Sequence, residues 1–318
     1  MKVLVTGAAG YIGGQTSLQL ADQGHEVYGV DRRILPNNLE RLNFFTEFFL
    51  GDFADTQVLN WVARQNFDAI IHCAGTSLVG PSIKNPEEYY DNNFVKTKKL
   101  CDFLLAFEHR PRLIFSSSAA TYGNPIISPC QEVDPAEPIS PYGESKLMIE
   151  WLLKAYSRAY DFDYVAFRYF NACGADSQAR HGQEPGATHI IPRIIENAKI
   201  GKHFVCNGND YETDDGTCVR DYLHVSDIAN AHILALNKLL VTPGIYNLGT
   251  STGASNLEVV NAIKAVTHLP IQIDFGPRRE GDPAILTADP SKFEKLANWK
   301  PKYSLHDIVQ HAWNWYNV

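Results

Sequence analysis

At 318 residues, 45% of them hydrophobic, with a formal net charge of −8, the chain has the composition of a globular protein large enough for two domains or for one domain with an added lobe. The acidic balance leaves no basic footprint for nucleic acid, and no apolar run approaches the roughly 20 residues of a membrane span. The six cysteines contain no C-x-x-C pair, so neither a metal site nor a disulfide framework is indicated, and "MKVLVTG" runs straight into a strand pattern, so a cytoplasmic protein without membrane or nucleic-acid partners is expected.

In chain order, short β-rich runs alternate with longer helical patterns. Strands are predicted at KVLVTG (2–7), EVYGVD (26–31), TEFFLGD (46–52), AIIHCAG (69–75) and RLIFSSS (112–118), and helices near 12–23, 55–65, 86–107 and 141–160. Continuous apolar strands separated by helices indicate a parallel sheet covered on both faces, the doubly wound α/β arrangement of Rossmann type. DYVAFRYFN ends this regular part, so an NAD-binding domain is expected over 1–171. The polar, Gly-rich stretch GADSQARHGQEPGATH then opens a smaller α/β substrate-binding lobe, 172–318. A helical pattern followed by GIYNLGT predicts a return to the first domain near 218–250.

Two motifs carry chemistry. In "VTGAAGYIGG", Gly7, Gly10 and Gly13 fall between the first strand and the first helix, where glycine permits a tight turn and lets the backbone approach a pyrophosphate seated on the helix N-terminus. Asp31 ends the second strand, 18 residues after Gly13, where a carboxylate accepts both ribose hydroxyls of an adenosine and favours NAD. Arg32 and Arg33 beside it could instead hold the 2′-phosphate of NADP, which Asp31 would repel. In "SPYGESKLMIE", Tyr142 and Lys146 are four residues apart, so on a helix their polar ends share one face and form either an acid–base pair or a decorated amphipathic surface.

These motifs sit among ordered blocks: GDF at 51, HCAG at 72, YYDNN at 89, FSSSAATYG at 115, RYFN at 168, GNDYETDDGTCVRDYLHV at 208, YNLG at 246 and PRREGD at 277. In that order, over nearly the entire chain, they resemble the UDP-glucose 4-epimerases of the extended short-chain dehydrogenase/reductase family. The resemblance implies reversible interconversion of UDP-glucose and UDP-galactose, with NAD held tightly and regenerated in every turnover. Tyr142 would take the proton of the sugar 4-hydroxyl while the C4 hydride passes to NAD, and Ser118 would hydrogen-bond the same oxygen. A tyrosine, with an ordinary pKa near 10, needs cationic neighbours for this, and Lys146 with the nicotinamide ring is expected to lower it.

By the same resemblance the cofactor positions are Tyr11, Ile12, Cys73, Ala74, Gly75, Ser77, Asn93, Ser116 and Phe170, with Asp52 and Phe53 toward adenine. The sugar-nucleotide positions are Asn171, His189, Asn207, Arg220, Arg279 and Asp282, the arginines suiting a diphosphate because guanidinium forks pair with phosphate oxygens. Leu286, four after Asp282, is implied to line the pocket beside the sugar C2 substituent and to disfavour N-acetylated sugars. The helices at 86–107 and 141–160 match those through which family members form homodimers.

Three positions depart from the common pattern: Ser77 where some members carry lysine, His189 where some carry asparagine, and Asn207 where an aromatic residue commonly stacks on uracil. Rival readings remain on the same fold. A 4,6-dehydratase usually carries an Asp-Glu pair directly after the serine or threonine of the fifth strand, where this chain has Ala119 and Ala120. A 4-epimerase of UDP-N-acetylglucosamine or UDP-glucuronate would use the same Tyr142 and Lys146, and a non-catalytic NAD sensor would need neither.

Overall fold

The computed structural model describes residues 1–34, 43–279 and 281–317; position 280, within the PRREGD block, lies outside them. The first half runs β1 (Lys2–Thr6), α1 (Tyr11–Asp22), β2 (Glu26–Asp31), β3 (Glu47–Leu50), α2 (Thr56–Ala63), β4 (Ala69–His72), α3 (Val79–Lys84) and α4 (Pro86–Tyr89). A π-helical segment, Tyr90–Val95, continues into α5 (Lys96–Leu105), followed by β5 (Arg112–Ser118), α6 (Pro141–Tyr160) and β6 (Tyr164–Tyr169).

The second half runs β7 (Asn171–Cys173), α7 (Ile190–Lys199), β8 (Phe204–Asn207), β9 (Val219–Arg220), β10 (Tyr222–His224), α8 (Val225–Leu234), β11 (Gly244–Leu248), β12 (Ala254–Ser255) and α9 (Asn256–Thr267). It closes with β13 (Ile273–Gly276), β14 (Ile285–Leu286), α10 (Ser291–Ala297) and α11 (Leu305–Trp315).

The large sheet has seven strands in the order β11-β6-β5-β4-β1-β2-β3, every pair parallel. Successive residues of each strand feed opposite faces: Val3 and Val5 join one buried cluster and Leu4 the other, as Ile114 does against Leu113 and Phe115. Burying each such side chain contributes about 1.5–3 kcal/mol, which is why the strands read as unbroken apolar runs. The strand order reverses between β1 and β4, and the crevice beyond the carboxyl ends at such a point is the place where sheets of this kind bind ligands.

Two predicted elements are subdivided. DYVAFRYFN breaks after β6, and β7 leaves the sheet to pair with β10. The helix predicted over 86–107 contains the π-helical turn, whose widened winding carries Asn92 and Asn93 into the interior.

The second half builds two- and three-stranded sheets around its own core, in which Ile191, Ile194 and Ile195 of α7 pack with Val259, Val260 and Ile263 of α9. It also sends two segments back. β11 completes the large sheet beside β6, and α10 lays Phe293, with the following Trp299, on that sheet, the Phe293 ring 4.9 Å from that of Phe167. This second return was not drawn from the sequence. Among the described residues no helix is long and apolar enough to cross a membrane.

Candidate active site

The crevice at β1 and β4 is shaped by missing side chains. Gly7 adopts φ +70°, and a Cβ there would lie 2.7 Å from the amide nitrogen of Ala74; one on Gly13 would lie 2.2 Å from the Gly7 carbonyl oxygen. The turn and the helix therefore pack backbone to backbone, and Gly10 begins α1 with no side-chain cap and no acidic residue in its first turn. An uncapped helix N-terminus is a ready anion site.

Asp31 lies at its flank, its carboxylate fixed by the amides of Ala9 (3.1 Å) and Arg33 (3.2 Å). These residues fit a dinucleotide: a pyrophosphate on Gly7, Gly10 and Gly13, a ribose at Asp31.

Around this cradle the other expected cofactor positions divide. Ala74 and Gly75 follow β4, where a Cβ on Gly75 would stand 2.8 Å from the Asn93 side-chain oxygen. Asn93 itself is committed to the protein: it receives the Thr76 amide (2.7 Å) and donates to the Thr76 carbonyl (3.0 Å) and to Ser145 Oγ of α6 (2.9 Å). It therefore shapes the loop after β4, in which Ser77 is exposed and accepts a hydrogen bond from the Tyr89 hydroxyl through its carbonyl (2.9 Å).

Tyr11 donates its hydroxyl to the Gly174 carbonyl (2.7 Å) and stacks on His181, so its ring ties the two halves together. Ile12 packs on the sheet core, and the Phe53 ring is buried edge-on to His72. Asp52 receives Lys96 Nζ (2.8 Å) and the Ala54 amide (3.0 Å). Burial works against its charge, but these bonds outweigh it and lower the pKa of the carboxyl. Arg32 reaches Asn92 Oδ1 at 3.3 Å on the same rim.

The second centre lies on α6. Ser140 caps the helix by accepting from the Gly143 amide, with Pro141 at its first position. Gly143 permits the approach of α6 to β5, since a Cβ there would stand 2.4 Å from the Ala120 carbonyl oxygen. Lys146 is buried and donates to the Ser116 carbonyl (2.8 Å), with its ammonium 4.8 Å from the centre of the Phe115 ring and 5.8 Å from that of Tyr142. Ser116 Oγ in turn donates to Cys73 Sγ (3.2 Å).

Ser118 accepts the Ala120 amide (3.2 Å), which caps the following turn, and its side chain is the neighbour that draws down the pKa of the buried Tyr142 phenol. The turn-capping reading of Ser118 is the one this bond bears out.

Burial sets the electrostatics of this centre. In the protein alone it raises the Tyr142 pKa above its ordinary value, and Ser118 only partly opposes this. Burial also lowers the pKa of Lys146 to about 8, partly opposed by its neighbours Cys73 and Glu150. Removing an ammonium from water disfavours its charge more than these neighbours restore it.

Of the expected sugar-nucleotide positions, the structure brings Arg220 and Asp282 together. Asn171 donates its side-chain amide to the Asp221 carbonyl (3.2 Å), and Phe170 and Leu286 each pack on the small cluster of Ala119, Tyr122 and Cys130. Arg220 on β9 donates through Nη1 to the Val219 and Pro283 carbonyls (2.8 Å each), while Nη2 lies 3.4 Å from Asp282. That Nη2 is buried with no hydrogen-bond partner, an arrangement suited to an incoming phosphate oxygen. Leu286 is the register partner of Arg220. Asn207 ends β8, His189 precedes α7 and accepts a hydrogen bond at Nδ1 from Gln183 Nε2 (2.7 Å), and Arg279 is exposed.

Residues 3–249 match the NAD dependent epimerase/dehydratase family. The chain belongs to that family. It is 44% identical to the UDP-glucose 4-epimerase of Halalkalibacterium halodurans over 99% of this chain and 96% of that one. Among solved structures it is similar to the UDP-glucose 4-epimerase of Stenotrophomonas maltophila with bound NAD and formylated UDP-arabinopyranose (TM-score 0.94, 35% identity, 100% of this chain and 98% of that one). It is likewise similar to the enzyme of Bifidobacterium longum in complex with NAD+ and UDP (TM-score 0.91, 36% identity, the same coverage).

Beside these residues stand two groups that motif reading passed over. Lys96, which anchors Asp52, lies four residues after Asn92 in the quoted block YYDNN and its continuation, a spacing that places both on one helical face. Glu150 continues the Tyr142–Lys146 stripe by one more turn. The i, i+4, i+8 spacing was its only signal.

Proposed function

We propose that the protein is a UDP-glucose 4-epimerase that interconverts UDP-glucose and UDP-galactose. The observation that carries this reading is the meeting of Tyr142, Lys146 and Ser118 at the end of β5, beside the glycine cradle. NAD, when bound, accepts the hydride of sugar C4 and returns it. The chain's own groups handle the proton. Tyr142 takes it from the 4-hydroxyl as the C4–O bond becomes a carbonyl, Ser118 holds that oxygen and relays the proton, and Lys146 supplies the positive charge that a buried phenolate requires.

Inversion follows when the ketone turns its other face before the carbonyl is reduced, with the proton given back by the same phenol. Ala119 and Ala120 leave no carboxyl pair after Ser118 for eliminating water, which separates this site from a dehydratase. Leu286, packed with Phe170 beside the Ser118 turn, favours glucose and galactose over their N-acetylated counterparts.

Trp151 and Val95, exposed on α6 and on the π-helical segment, support assembly as a homodimer through those helices. Six free thiols suit a reducing, cytoplasmic setting. The test is to incubate the purified protein with UDP-galactose and follow UDP-glucose, then denature it and assay the supernatant for NAD. Conversion with no added cofactor is expected. A protein that binds NAD yet gives no UDP-glucose would be a sensor, and one active only with added NADP would overturn the reading of Asp31.

A further inference from the structure

Directly behind the acid–base pair lies a buried ion pair that the reaction as described does not use. Glu150 stands four residues beyond Lys146 and eight beyond Tyr142, so all three share one face of α6. Its carboxylate is enclosed and accepts three hydrogen bonds: from Ser117 Oγ at 2.5 Å and Arg168 Nε at 2.9 Å on one oxygen, and from Arg168 Nη2 at 2.5 Å on the other. Ser117 and Arg168 are register partners on β5 and β6. The guanidinium lies 4.6 Å from the centre of the Tyr122 ring, and the Tyr122 hydroxyl donates to Asn247 of β11 at 2.8 Å.

Three successive serines of β5 thus meet three residues of α6. The Ser116 carbonyl receives Lys146, the Ser117 hydroxyl donates to Glu150, and the Ser118 side chain neighbours the phenol of Tyr142. A buried ion pair is a weak source of stability compared with apolar packing of the same volume, because both charges must be taken out of water. Its position here therefore calls for another role.

We propose that Glu150, held by Arg168 and Ser117, is a positioning residue of the epimerase reaction: it sets the register of α6 on β5 so that Lys146 and Tyr142 converge, and its negative charge favours the ammonium form of Lys146.

The groups facing that ammonium support the electrostatic part. His72 at the end of β4 is buried and neutral, its pKa pushed down to about 3, and Cys73 stays a thiol, pushed up to about 11. Tyr142 on α6 and Tyr169 on β6 are phenols raised by burial. Among these described groups Glu150 is the anion, and it acts on Lys146 to raise a pKa that burial has lowered to about 8. Arg168 stands beyond Glu150 and partly offsets it.

The inference rests on the proposed roles of Tyr142 and Lys146, and the experiment separates the two. In the NAD-loaded enzyme, Glu150→Gln keeps the shape and removes the charge. Its kcat for UDP-galactose should fall about 10-fold, a part of the roughly 10²- to 10⁴-fold contribution of a positioned acid–base group lost by misalignment, with KM within about 3-fold. The alkaline limb of the kcat profile should move to lower pH by roughly half to one unit, because Lys146 then releases its proton earlier. Glu150→Asp, which keeps the charge on a shorter arm, should restore the position of the limb but not the full rate.

If Glu150→Gln does not fold, Ser117→Ala carries the test, with kcat expected to fall about 3-fold at unchanged KM. A wild-type pH profile in Glu150→Gln, or a wild-type kcat in Ser117→Ala when the glutamine variant is unfolded, overturns the inference. Lys146→Ala and Tyr142→Phe serve as controls. Should either keep full turnover, it is the acid–base reading that fails, whatever Glu150 does.

Discussion

The two halves of the molecule recognise their ligands in opposite ways. The cofactor crevice is formed by backbone, where glycines at 7, 10 and 13 remove the side chains that would keep a pyrophosphate from the start of α1. The substrate side is formed by long side chains on strands of two to four residues, such as Arg220, which is braced by the Val219 and Pro283 carbonyls and paired with Asp282. The first half should therefore fail when an atom is added, and the second should change its preference when an atom is removed. Tyr142 belongs to neither rule, because its proposed role rests on one oxygen at the seam between them.

The largest expected effect is at that seam. Tyr142→Phe should fold and retain bound NAD while kcat falls by roughly two to four orders of magnitude, the weight of a positioned acid–base group. Stopped assays with UDP-galactose, together with cofactor content after denaturation, measure both. Near-normal turnover would leave Tyr142 and Lys146 as surface decoration of α6.

Next comes the cradle. In Gly13→Ala the new methyl meets the Gly7 carbonyl oxygen at 2.2 Å, a contact that must be relieved by moving backbone. Overpacking of this severity costs about 3 kcal/mol, so the protein should purify depleted of NAD and melt several degrees lower. Undiminished NAD content would show that backbone density is not what forms the site.

The smallest effect tests the opposite rule. Leu286→Ser opens space beside Phe170 and should raise the specificity constant for UDP-N-acetylglucosamine relative to UDP-glucose by about 5- to 150-fold, the worth of relieving 1–3 kcal/mol of overpacking. Equal rates with the two sugars in the parent, or no gain in the variant, would show that another residue sets the limit.

The same contrast decides what could be read before the structure was seen. β1 to β6 and α6 were legible because their apolar periods are long and their caps, such as Ser140-Pro141, are local. The glycine turn and the Tyr142–Lys146 pair were legible for the same reason, since each fits within ten residues.

Contacts that depend on side-chain direction were not legible. Asn93 spends its amide on Thr76 and Ser145, and the Phe53 ring turns into the core. Glu150 finds its partner 18 residues away across a β5–β6 register that no local pattern encodes. The burial that raises the Tyr142 pKa in the protein alone was not legible either, because charge near a phenol can be inferred from spacing whereas its burial cannot.

β11 enters the large sheet only after β7 to β10 have paired elsewhere and α8 has packed on its apolar face, and α10 comes back later still. On the ribosome, therefore, the nucleotide domain cannot be completed when its first six strands have emerged. From Tyr169 until Leu248 is made, a delay on the order of ten seconds at ordinary elongation rates, β6 is an open parallel edge able to pair with another chain. A fragment cut at the apparent domain boundary would keep that edge permanently, and should aggregate where the full-length chain does not.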